Sequence, residues 1–223
     1  MRTVAATGAK KELSGSAEGM VPREGAQMID YDEMLLMLRL EPLDRSAKTA
    51  FAAACTQRLV PLSDRYSQQV GDPLREQRLA VIVSAAWQAA AGRDIDATRL
   101  RAEAEAMVPD EDDEGWTAGR TYAGNAASAA AYTLRTWLTN DPQEAAWAAR
   151  QLFDAADLTY FQANPGGDFT AEAEEKASLE SPVVQSVIFA IQRDLEAIET
   201  GRPWSELRQR AEIEGRDWAA TMP

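Results

Sequence analysis

From Ile29 onward the apolar residues of this chain recur at helical spacing. Val184, Val187, Ile188, Ile191, Leu195 and Ile198 fall at i, i+3, i+4, i+7 positions, the stripe of an amphipathic helix over 182–199. The run Leu79–Ala91 is apolar on every side, which predicts an enclosed, central helix. Ala123, Ala126, Ala127, Ala130 and Ala131 give a helix over 118–139 a small-residue face on which neighbours can approach closely. No run alternates with period two, and no 30–45-residue repeat is present. The pattern is all-α, without a sheet and without a solenoid.

Punctuation sets the boundaries. Asp72-Pro73, Asp141-Pro142 and Ser181-Pro182 each place a capping side chain before a proline at the first helical position, where its missing N–H costs nothing. Arg202-Pro203 repeats the pattern with a poorer cap, and Pro61 is read as ending one helix and opening the next. Gly71, Gly92, Gly201 and Gly215 stand where helix ends favour a residue tolerant of positive φ. These signals predict about eight helices, over 30–40, 44–59, 61–70, 73–91, 95–107, 118–139, 142–163 and 182–199. Shorter ones are expected near 170–178 and 203–214. The expected architecture is one compact all-α domain, 29–215, built around the 73–91, 118–139 and 182–199 helices. A disordered, flexible N-terminal extension over 1–28 and a short tail over 216–223 flank it.

Composition then narrows the chemistry. Of 223 residues 42 are alanine, so the core of large side chains is smaller than the apolar fraction of 45% suggests. The chain has no histidine and one cysteine. That excludes a Ser-His-Asp triad, a Cys-His pair, imidazole metal ligands, an internal disulfide and a thiolate cluster. No stretch approaches the roughly 20 apolar residues of a membrane span, and residues 1–28 lack the apolar segment of a secretory signal. A cytoplasmic bacterial protein without a membrane role is expected. The formal charge of −13 disfavours nucleic acid and favours a basic partner.

The remaining candidates are carboxylates. Asp110-Glu111-Asp112-Asp113-Glu114-Gly115 imitates the opening of a calcium loop, but the bidentate glutamate required at position twelve is Thr121; a solvated acidic loop fits better. Glu172-x-x-Glu175 and Glu196-x-x-Glu199 put paired carboxylates on helix faces either side of the Ser181-Pro182 break. The arrangement is similar to the ExxE and ExxD pairs of MazG-type all-α pyrophosphatases, with Glu199 where that pattern has Asp. Asp154 and Asp157 suit ion pairs with a neighbouring helix. Cys55, inside Phe51-Ala-Ala-Ala-Cys-Thr, reads as a small buried hydrophobe. Trp116, beside the acidic loop, is the one tryptophan placed to anchor a partner.

The run Phe51-x3-Cys55-x2-Arg58-Leu59-x-Pro61, with Tyr66, Gly71-Asp72 and Trp87 after it, resembles the bacterial YjaG-like family, labelled only as domain of unknown function 416. Met107-Val108-Pro109-Asp110, the alanine-rich segment Tyr122–Leu134, Ser181-Pro182-Val183-Val184 and Gln192-x-Asp194-Leu195 continue the resemblance in order over roughly 40–200. It implies a compact all-α fold and carries over no catalytic residue. The expected function is therefore non-enzymatic, without catalytic residues, cofactor or resident metal. An acidic face of Glu103, Asp110, Glu111, Asp112, Asp113, Glu114 and Trp116 docks on a basic protein, one form being an immunity protein that neutralises a toxin. The alternatives are a Mg²⁺-dependent hydrolase using Glu172, Glu175, Glu196 and Glu199, and a housekeeping helical protein. A homodimer through alanine-rich faces stays open.

Overall fold

The computed structural model describes residues 29–109, 115–166 and 170–222; the N-terminal extension expected over 1–28 lies outside them. The described residues form nine helices and no strand, so the all-α expectation holds. They are α1 (Glu33–Leu40), α2 (Arg45–Val70), α3 (Pro73–Ala90), α4 (Ala97–Glu105), α5 (Ala118–Thr139), α6 (Pro142–Ala163), α7 (Ala171–Leu179), α8 (Pro182–Glu199) and α9 (Trp204–Thr221).

Helix ends follow the capping chemistry. Asp72, Asp141 and Ser181 each accept a backbone N–H of their helix's first turn, as do Asp32, Asp44 and Asp96; such a cap contributes about 1 kcal/mol. Gly71, Gly92 and Gly201 have positive φ, and Asn140 closes α5 in the left-handed region at φ 59°. Pro203 is itself the residue before α9, with no side-chain cap.

Three expectations are corrected. Pro61 breaks nothing: α2 runs through it for 26 residues. A proline inside a helix forfeits one backbone bond and crowds the preceding turn, but α2 is wrapped by α3, α5, α6, α8 and α9, and packing overrides propensity. This makes α2, rather than the 73–91 helix, the centre of the bundle. Ala50 to Cys55 are all fully buried, whereas Val81 of α3 is half-exposed. Gly215 ends no helix, and 216–223 is no tail, because α9 continues to Thr221 with Trp218 and Ala219 buried.

Gly215 instead permits a close crossing. A Cβ there would lie 2.8 Å from the carbonyl oxygen of Arg58 and 2.9 Å from its Cα. Where α2 crosses α5, the buried hydroxyls of Thr56 and Thr133 meet at 2.8 Å. Each also lies within bonding distance of the carbonyl four residues before it; with one proton apiece, one hydroxyl donates to its carbonyl and the other donates to that hydroxyl, so neither polar group is stranded. The α8 stripe forms as its spacing predicts, with all six of its apolar residues buried.

Candidate docking face and the buried charge network

One end of the bundle gathers the end of α2, the start of α3, residues 107–109 and the first turns of α5. Arg75 fastens it. Its Nη2 donates to the carbonyl oxygens of Met107 at 2.6 Å and Ala123 at 3.3 Å, and its guanidinium lies over the Tyr66 ring. Pro109 reaches Gly124, where an added Cβ would stand 3.2 Å from the proline Cδ. Large apolar side chains face water at this end: Val70, Leu74, Val108 and, at 67% exposure, Trp116. Exposed apolar surface gathered at one end marks an interaction site more often than scattered residues do.

The acids of this face divide. Asp110, Glu111, Asp112, Asp113 and Glu114 lie outside the described residues, as does the calcium-loop register built on them. Glu103 is held by Arg78 and Arg99, so its charge is neutralised at the α3–α4 contact and it leaves the set of free docking acids. The paired glutamates do not converge with other ligands: among the described residues no three acids or cysteines form a metal-binding group. Glu199 is taken by Arg39 of α1 at 2.6 Å. Asp154 pairs with Arg150 of its own helix at 2.7 Å rather than with a neighbouring helix, and Asp157 accepts the Ser178 hydroxyl of α7.

The densest charge lies inside the molecule. Arg58 contacts Asp194 at 2.6 Å and Glu214 at 2.8 Å. Arg193 joins Glu214 at 2.8 Å, and Arg210 joins Asp194 at 3.2 Å. Arg58 and Asp194 are almost completely buried. Burial opposes the charged guanidinium of Arg58, yet Asp194 and Glu214 outweigh it and hold the proton more firmly than usual. Burial likewise opposes ionisation of Glu214, and Arg58 with Arg193 overcome it, leaving its carboxyl below the ordinary range. Cys55 is fully buried beside this network, and burial pushes its thiol up to about 12, so no thiolate forms near neutral pH.

Sequence reasoning missed this network, although a signal was present: Arg58 and Asp194 each interrupt an otherwise apolar helix face. The two also belong to the motifs on which the family resemblance rests, one on α2 and one on α8. The family described as "Protein of unknown function (DUF416)" matches residues 36–214. The chain belongs to the DUF416 family. A solved DUF416 family protein from Shewanella baltica OS155 has the same fold, with a TM-score of 0.66 at 19% identity, over 82% of this chain and 93% of that one. No curated protein matches the sequence.

Within this DUF416 fold the motif residues have structural work. Phe51 and Leu59 fill the core, Trp87 donates its indole N–H to Gln57 at 3.2 Å, and Gly71 and Asp72 turn α2 into α3. Among the described residues no helix is long and apolar enough to cross a membrane.

Proposed function

We propose that this DUF416 protein is a non-catalytic docking module for a basic protein in the bacterial cytoplasm, one form of which is an immunity protein bound to a basic toxin. The observation that carries this reading is Trp116, which stands 67% exposed and follows the run Asp110–Glu114 with only Gly115 between. An indole costs free energy to hold in water, and tryptophan is among the residues that most often anchor a protein interface. Val70, Leu74 and Val108 supply an apolar surround at the same end. The five acids supply the charge that draws in a basic partner, and opposite charge mainly speeds association. The partner's matching surface has a pocket for the indole rimmed by Lys or Arg.

The test is capture of partners by the tagged full-length chain at low salt, with parallel captures by Trp116→Ala and by a variant with 110–114 changed to Asn and Gln. A single stoichiometric basic protein, released by salt and absent from both variants, is the expected result. Capture that is unaffected by both variants overturns the reading. So does no capture at any salt combined with Mg²⁺ binding that is lost on Glu172→Gln and Glu196→Gln.

A further inference from the structure

A cleft of about 310 Å³ opens between α2, α5, α6 and α9, at the small end of the range of small-molecule pockets. We propose that it binds a small, neutral aromatic ligand that donates one hydrogen bond, of the phenol or naphthol class. Leu62 and Tyr122 are buried at its floor, Tyr66 and Met222 form half-buried walls, and Gln69 and Gln162 stand exposed at its mouth. Apolar walls that include two tyrosine rings suit a flat apolar body, which packs on such rings offset or edge-on.

The lining favours a neutral ligand. No carboxylate stands among its described residues. Arg65 donates from Nη1 to the carbonyl oxygens of Ala219 and Met222, the latter at 2.9 Å, and so ties the end of α9 to α2. An ion entering the cleft would lose hydration and meet no counter-charge that the protein is not already using, which is costly.

The floor sets the direction of the hydrogen bond. Thr159 Oγ1 gives its one proton to the Ala155 carbonyl at 2.8 Å. In the 3.1 Å contact between the Tyr122 and Thr159 hydroxyls, Tyr122 is therefore the donor. Both protons are spent inside the protein, while the Tyr122 oxygen keeps acceptor capacity. Burial raises the Tyr122 pKa, so this hydroxyl stays protonated near neutral pH. A ligand that donates completes the chain of bonds. One that only accepts must break the Tyr122–Thr159 bond or go unpaired.

The experiment titrates the full-length chain with 2-naphthol, with 2-methoxynaphthalene, which has the same rings and no donor, and with the anion 2-naphthoate. The naphthol is expected to bind roughly fivefold or more tightly than its ether, the worth of one hydrogen bond, and more tightly than the carboxylate. The methyl resonance of Met222, identified by its loss in Met222→Leu, should shift as the naphthol binds. Tyr122→Phe combined with Thr159→Val removes both oxygens at little change of shape and should erase the preference for naphthol over ether. Ala163→Trp, at an exposed position of the mouth, should weaken binding of the naphthol and its ether and keeps the proposal testable if the double variant does not fold. No naphthol binding, equal affinity for naphthol and ether, tighter binding of the carboxylate, an unmoved Met222 methyl, a preference retained in the double variant, or binding unchanged in Ala163→Trp each overturns it. The result is independent of whether a protein docks at Trp116.

Discussion

Arg58 sets the consequences at the scale of single residues. Its guanidinium is the most buried cation touching the two acids, so Arg58→Met leaves the fully buried Asp194 to the more exposed Arg210 and Arg193, and Glu214 to Arg193 alone. Removing one partner of a buried pair costs about 3–5 kcal/mol, and the midpoint of urea unfolding should fall accordingly. Asp64 behaves in the opposite sense. Burial first and then Glu76 raise its carboxyl from 3.8 to about 6, and its Oδ1 has no hydrogen-bond partner among the described residues. A carboxyl whose folded pKa is raised binds its proton more tightly in the native state, so stability declines as pH rises from about 4 through about 6. Asp64→Asn should stabilise the protein at pH 7. Because the residue is only half-buried the gain is on the order of 1 kcal/mol, and it should vanish below about pH 4. Unfolding curves at the two pH values check both parts. Cys55 was legible as an inert core residue because its neighbours in sequence, Phe51 to Ala54, are apolar. The Arg58–Asp194 pair was not, since nothing local tells an arginine on α2 which of many acids will face it.

Individual helices show where sequence signals suffice. Caps and glycines are local chemistry, so Asp72, Asp141, Ser181 and the positive φ of Gly71 and Gly201 match what the sequence predicts. Pro61 and Gly215 do not, because their environments are supplied by other helices. Gly215 gives the clearer test. In an exposed helix a change of glycine to alanine gains about 1 kcal/mol. Here the new methyl would press on the Arg58 backbone at 2.8–2.9 Å, and backbone cannot swing aside as a side chain can. Gly215→Ala should therefore destabilise by about 1–3 kcal/mol, a reversal of sign that a thermal melt will register. The same crossing brings Glu214 to Arg58, so the glycine and the charge network depend on each other.

For the molecule as a whole, the all-α architecture was legible from periodicity and the family from short motifs, whereas the cleft was not. Its walls come from four helices, and none of Arg65, Gln69 or Thr159 is unusual in its own segment. The proposed docking face was legible in part: the sequence places Trp116 close to five acids, but the exposure of Val70 and Leu74 and the pairing of Glu103 with Arg78 and Arg99 are tertiary facts. Trp116→Ala should leave the melting temperature unchanged, because the ring is mostly in water, while weakening a partner complex by 2 kcal/mol or more, about thirtyfold. The most direct test of the central claim is the association rate with the captured partner as ionic strength rises. The rate should fall steeply with salt for the natural chain, and the slope should flatten when Asp110–Glu114 are neutralised. A rate indifferent to salt and to those five charges would contradict acidic docking.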